Sequence, residues 1–198
     1  MQKTLKHEIK ADYLLEKGIH ILWSKGYNAT SVNDIVMAAG VPKGSFYFYF
    51  DSKEDFAVKA IEKYFEAQFS PARKILENED LSPKQRLLDF YLYRCTILKE
   101  EMDCKMGCLA SNIGNEMSEH SESIRLKILE KETLVLACIR EVVEEAQNRG
   151  EIDASLVPQD LVAFLEDAGK GAMITMKEMQ SSYPVDNFLQ MVNRVLFK

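Results

Sequence analysis

Turn-forming residues are scarce in this chain: 198 residues contain only 9 Gly and 5 Pro, too few breaks for a sheet-rich fold of this length. Four cysteines, Cys95, Cys104, Cys108 and Cys138, lack the density of a disulfide scaffold and are expected to be thiols. No apolar run reaches the ~18 residues of a membrane span. The opening stretch MQKTLKHEIKADYLLEKG is charged and periodic, without the apolar core of a secretory signal. The three histidines (His7, His20 and His120) are scattered, so no metal is expected, and no phosphate loop or paired carboxylate points to a cofactor or to catalysis. What remains, 46% apolar and 28% charged, is ordinary globular composition. A cytoplasmic protein without a membrane segment is expected.

Charge is unevenly spread. Residues 1–50 carry six lysines against four acids, whereas residues 66–198 carry 16 basic and 23 acidic groups. An acidic body on a mildly basic head suits a protein that touches nucleic acid at one end.

Helical periodicity and punctuation divide the chain into about nine helices, an all-α fold. Leu5, Ile9, Leu15, Ile19 and Leu22 share one stripe, with Lys3 and Lys6 off it, and Gly26 stops the run. Ser31, with Asp34 three residues on, caps a short helix over Val32–Ala39, and a second short one covers residues 43–50. Ser52 starts a long helix over 53–77, in which Pro71 predicts a kink. Ser82-Pro83 with a returning Gln85 starts another, lasting to about Glu101. Gly107 precedes a short helix, and longer ones cover 122–148 and 158–180 before a last one near Phe197. SFYFYF (45–50) has strand propensity. A lone strand would leave its backbone groups unpaired, so the expectation there is helix.

The segment TSVNDIVMAAGVPKGSFYFYF (30–50) reads as two short helices joined at Ala39-Gly40-Val41, the pattern of a helix-turn-helix. The second is too short to be stable alone and is loaded with aromatics on more than one face. In that motif the second helix meets base edges while the first crosses the phosphates.

Residues 8–67 resemble the head of the TetR family of transcriptional repressors. The matching run is Thr30-Ser31-Val32, Asp34-Ile35, Ala38-Ala39-Gly40-Val41, Gly44-Ser45-Phe46-Tyr47, Tyr49-Phe50 and Ser52-Lys53-Glu54. The resemblance implies a helix-turn-helix domain over 1–52 and a helical ligand-binding and dimerising body over 53–198. It also implies a homodimer on a double-stranded, pseudo-palindromic DNA operator. Carried over position by position, the DNA contacts are Thr30, Ser31, Lys43, Gly44, Ser45, Tyr47, Tyr49 and Lys53. Hydroxyls at Thr30 and Ser31 suit phosphate, Lys43 can donate to guanine acceptors, and Lys53 can hold a phosphate. Val32 and Asn33 depart from the family, which often has a basic residue there, and Tyr49 stands where the family often has His.

The body strings GCLASNIGNEMSE (107–119) and GAMITMKEM (171–179) resemble the N-ethylmaleimide-repressor subgroup, which responds to reactive electrophiles. A cysteine at a helix start sees partial positive charge that favours the thiolate. This makes Cys108, with Lys177 as a second cation, the sensor candidate. Tyr91, Asn112, Met173 and Met176 are the candidate lining for a small apolar or electrophilic effector, the methionines for their adaptability. Inert burial of Cys108 and plain packing of the methionines are the competing expectations. In residues 122–148 two apolar stripes stand out: Ile128, Val135 and Val142, then Leu129, Leu136 and Val143. One is expected to face the body's own core and the other a second copy, together with 158–180. Two alternatives leave 30–53 unexplained or require it to be damaged: a small thiol-dependent helical enzyme, and a helical interaction module without DNA binding.

Overall fold

Helix starts follow the side chains that can satisfy free N–H groups. In the computed structural model, which describes residues 2–197 and the side chains of 10–194 and Phe197, nine α-helices and two π-helical segments form and no strand does. The helices are α1 (Gln2–Lys25), α2 (Val32–Ala38), α3 (Lys43–Tyr49), α4 (Lys53–Leu76), α5 (Pro83–Thr96), α6 (Leu109–Met117), α7 (Glu122–Asn148), α8 (Pro158–Met179) and α9 (Tyr183–Met191). The α1 stripe residues Leu5 and Ile9, like Lys3 and Lys6, have side chains outside the described residues.

Ser31 and Asp34 form a complete capping box on α2, each side chain accepting from the other's backbone N–H. At α5 only half of the expected box exists. Ser82 Oγ accepts from Gln85 N at 3.3 Å, but the Gln85 amide donates forward to Asp89 at 2.7 Å. The aromatic stretch is helical, as backbone pairing demanded: α3 runs to Tyr49, where the Phe50 N–H closes it on Phe46 O. Pro71 lies inside α4, which remains one helix. Gly40, at φ +66, makes the turn between α2 and α3 in a conformation that a Cβ would oppose.

The helix expected to reach Glu101 changes character before its end. α5 stops at Thr96 and a wider π-helical turn, Ile97–Glu101, follows. Asp103 and Cys104 then adopt left-handed backbone, and Cys104 N–H reaches back to Leu98 O at 3.0 Å. Left-handed backbone at a helix end normally falls to a glycine, and none stands at these two positions.

The chain forms two compact units. The first comprises residues 1–66 and 109–130, the second 67–108 and 131–198. At the centre of the first are three phenylalanine rings, Phe46, Phe50 and Phe56, with centroids 5.0–5.7 Å apart. Ile35, Leu22, Leu109, Ile113 and Ile124 are fully buried in the same unit. The core of the second joins Leu87 and Phe90 of α5, Ile139 and Val143 of α7, Leu165 and Met176 of α8 and Val185 of α9.

The two stripes on residues 122–148 do not divide as expected. Val142 and Val143 are both buried in the second unit's core, while Leu129 is exposed. A seven-residue repeat on a straight helix drifts by about 20° per heptad, so the stripe that starts outward at Leu129 has turned inward by Val143. Among the apolar side chains that remain exposed in the second unit are Leu134 of α7 and Phe164 and Ile174 of α8, Phe164 being 58% exposed. Gly171 adds an open position beside them, where a Cβ would meet nothing. Phe164→Arg should therefore leave the fold intact, with far-ultraviolet dichroism and melting unchanged, while light scattering shows a smaller particle. Val142→Arg should instead unfold the second unit, since it buries a charge in that core.

Candidate nucleic-acid interface and body cleft

Burial of one side of α3 decides what the other side presents. Phe46 is fully buried and Phe50 nearly so, so the opposite side, Lys43, Gly44, Tyr47 and Phe48, faces outward. Ser45 and Tyr49 are half-buried at its edges, and the Tyr47 ring stands edge-on against Phe46 at 5.3 Å. Phe48 is 69% exposed, and Met37 on α2 is 75% exposed. The family resemblance did not carry Phe48 over as a DNA contact. Its position four residues from Gly44 on a seven-residue helix carried the signal that it shares the outward face.

Thr30 and Lys53 are turned inward. Thr30 is 1% exposed, and its hydroxyl donates to Gly26 O at 2.6 Å. The Lys53 ammonium donates to Tyr27 O and Thr30 O, both at 3.0 Å, and sits 4.1 Å from the Tyr27 ring centre. It thus ties the first turn of α4 to the segment ahead of α2, leaving one N–H for any other acceptor. Partial burial lowers its pKa, and the Glu116 carboxylate pulls the other way. Ser31 remains exposed, its hydroxyl engaged with Asp34. Lys25 pairs with the same Asp34 at 2.8 Å, and these bonds hold the Asp34 carboxyl well below its usual range.

Two carboxylates brace this head from the far end of its own unit. Glu116 on α6 accepts from Tyr27 N at 3.0 Å and from Asn28 N at 2.7 Å. Gly26 ends α1 at φ +82, and a Cβ there would run into the Glu116 carboxylate. The glycine is thus needed twice over, for its conformation and for the space. Glu54, in the first turn of α4, accepts from the Ser121 and Ser123 hydroxyls, which keeps its pKa down.

In the second unit a cleft of about 310 Å³, part of it open to solvent, is lined by Tyr91, Arg94, Cys95, Leu98, Glu166, Gly169, Met173, Val185 and Phe188. Of the expected lining residues it brings together Tyr91 and Met173. Met176 is fully buried in the core, and Asn112 lies on α6 in the first unit. Cys108 is half-buried immediately before α6, and Lys177 is half-buried in the last turn of α8. Lys105, near Cys108, is paired with Asp103. The cation that senses Cys108 electrostatically is Arg94. Burial alone would lower the Arg94 pKa, but its pairing with Glu166 at 2.7 Å outweighs that and raises it. Arg94 and Glu166 were missed in sequence because they lie 72 residues apart. No group of side chains suited to a metal ion occurs among the described residues.

A short outward-facing helix, set behind a capped partner and a glycine turn, is the reading element of a helix-turn-helix protein. The profile of bacterial regulatory proteins of the tetR family matches residues 14–60, and that of the tetracyclin repressor-like C-terminal domain matches residues 83–192. The chain belongs to the TetR family and is a helix-turn-helix transcriptional regulator. It is 32% identical to the transcriptional repressor DhaR of Mycobacterium sp. (strain GP1), over 93% of this chain and 90% of that one. It is 24% identical to the repressor NemR of Escherichia coli (strain K12), over 99% of this chain and 98% of that one. Among solved structures it is similar to a regulatory protein TetR from Rhodobacter sphaeroides, with TM-score 0.86 and 28% identity, covering 93% of this chain and 97% of that one.

Proposed function

We propose that this regulator represses transcription as a homodimer on a pseudo-palindromic operator, which it leaves when a small apolar or electrophilic effector acts on its body. Residues 1–52 read the DNA and residues 53–198 dimerise and bind the effector. The observation that supports the DNA half is the outward face of α3, where Lys43, Gly44, Tyr47 and Phe48 stand together. Lys43 supplies a donor for guanine and Gly44 allows close backbone approach. Phe48 offers an apolar surface for a thymine methyl, and Tyr47, with Tyr49 and Ser45 at the edges, bonds phosphate or sugar. Ser31 lies at the start of α2, the helix that crosses the backbone. Thr30 and Lys53 serve recognition chiefly by fixing that helix, with the remaining Lys53 N–H directed to phosphate. The exposed residues Leu134, Phe164 and Ile174 form the dimer face with α7 and α8 of a second copy. A repressor acts where the chromosome is, which places it in the cytoplasm. The enzyme alternative has no paired acid and base in the cleft to support it.

Operator binding is tested by selecting sites from random duplex DNA with the purified chain, then measuring affinity against salt. A pseudo-palindrome should emerge, and affinity should fall steeply with salt as phosphate neutralisation releases counterions. Lys43→Ala should relax base choice at one position of each half-site by about 1–3 kcal/mol. Lys53→Ala should weaken all sequences alike and lower the melting temperature, because it leaves the Tyr27 and Thr30 carbonyls without their donor. Equal loss of specificity in both variants contradicts this division.

For the effector, the support is the position of Cys108 ahead of α6 and close enough to Arg94 to interact electrostatically, together with the local similarity to a repressor named NemR. Operator release by N-ethylmaleimide should be lost in Cys108→Ser. A wild type insensitive to maleimides and quinones, or a variant released as before, contradicts the thiol route.

A further inference from the structure

The buried stripe of α1 separates two flanks of opposite charge. Leu14, Leu15 and Leu22 are buried, and Gly18 lies against Phe56 of α4 and Ile35 of α2, where a Cβ would collide with both side chains. On one flank Asp12 and Glu16 turn to Lys63 of α4, at 3.0 and 3.3 Å. Further along the same flank Trp23 stands edge-on to Tyr64 of α4, 5.0 Å away. At about 100° per residue, Lys10 and Lys17 fall on the flank across the buried stripe from α4. Both are exposed, with Tyr13 beside them, and the Lys17 ammonium rests over the Tyr13 ring at 5.8 Å.

This flank lacks acid. The residues three and four away from Lys10 and Lys17, where a helix sets a partner carboxylate, are Lys6, His7, Tyr13, Leu14, His20 and Ile21. None is acidic, in a chain of 31 acidic and 25 basic residues. Seven residues separate Lys10 from Lys17, a rise of about 10.5 Å, which matches about three phosphate steps along one DNA strand.

The row also starts beside the reading helices. Lys25, at the end of α1, pairs with Asp34 in the first turn of α2 at 2.8 Å. The lysines ahead of it therefore run outward from the helix that crosses the DNA backbone. Within that reading segment cations are few. Between Gly26 and Lys53 the only basic residues are Lys43 and Lys53, and the Lys53 ammonium is engaged with the Tyr27 and Thr30 carbonyls.

We propose that this flank of α1 is a second DNA-backbone site, at which Lys10 and Lys17 hold phosphates outside the base pairs read by α3, with the Tyr13 phenol as a further donor. The site rests on the reading of residues 1–52 as the DNA-binding head, and it lies outside the contacts carried over by family resemblance, which all fall between Thr30 and Lys53. Charge contacts to phosphate add affinity and length of duplex without adding sequence preference.

The test compares the full wild-type chain with the Lys10→Gln/Lys17→Gln double variant on the operator selected from random DNA. Two duplexes are used, one with long flanks and one cut back to the base pairs that selection specifies. Glutamine removes the charge and keeps α1 helical. On the long duplex the slope of log affinity against log salt should fall by about two per head, with affinity roughly 10-fold or more lower at low salt. Hydroxyl-radical protection of the flanking sugars should be lost, while the selected sequence and the melting temperature stay as in the wild type. On the cut duplex the two proteins should bind alike. An unmoved slope on the long duplex, or an equal loss on both duplexes, overturns the proposal. So does a changed selected sequence, which would make these lysines base readers, or a lower melting temperature, which would assign them to holding α1. A wild type that binds no duplex overturns the reading of the head and this site with it, whereas a wild type that binds while the variant's slope is unmoved overturns this site alone.

Discussion

The reading helices depend on a carboxylate that reaches them from far along the chain. Glu116 accepts the two N–H groups of Tyr27 and Asn28, at the point where α1 has ended and α2 has not begun. Those amides have no helical partner of their own, and charge-assisted bonds to a carboxylate are roughly twice as strong as neutral ones. Around this bond the head is over-determined: Lys53 holds the Tyr27 and Thr30 carbonyls, Thr30 holds the Gly26 carbonyl, and Gly26 leaves room for Glu116. Residues that resembled DNA contacts thus have an internal duty. The same segment that sets the direction of α2, and through Gly40 of α3, is fastened to α6.

On the proposed thiol route, that fastening would acquire a functional meaning from where α6 begins. Cys108 immediately precedes Leu109, the first residue of α6, and Glu116 lies two turns further on. A ligand can release DNA only by favouring one of two arrangements that differ in affinity for it. An adduct at Cys108 that displaced α6 by the length of a hydrogen bond would withdraw the carboxylate from Tyr27 and Asn28. The left-handed backbone at Asp103 and Cys104, five and four residues before Cys108, is unfavourable for non-glycine residues.

Local features of this chain were legible in its sequence, and distant ones were not. The Ser31–Asp34 box, the Gly40 turn and the buried side of α3 follow from spacings of three or four residues and were expected where they occur. Aromatic strand propensity at 45–50 misled no further than backbone pairing allowed. The π-helical turn at 97–101 could not be anticipated, because no glycine marks the left-handed backbone at Asp103 and Cys104 that follows it. Nor could the partners 89 and 72 residues apart, Glu116 with Tyr27 and Glu166 with Arg94, since nothing in either residue's neighbourhood names the other. Heptad counting along α7 mistook drift for a second face, which is why Val142 and Val143, counted on different stripes, are both in the core.

The claim on which this account turns is that Glu116 aims the reading head without touching DNA. Operator affinity of Glu116→Ala, measured on the selected site beside the wild type, tests it most directly. Alanine keeps α6 helical and removes only the carboxylate. The account predicts affinity reduced roughly 10-fold or more, as expected for the loss of two charge-assisted bonds, with the preferred sequence unchanged and faster hydrogen exchange at the Tyr27 and Asn28 amides. Faster exchange at those amides with operator affinity intact would show that the clamp and the reading surface are independent, and would contradict it.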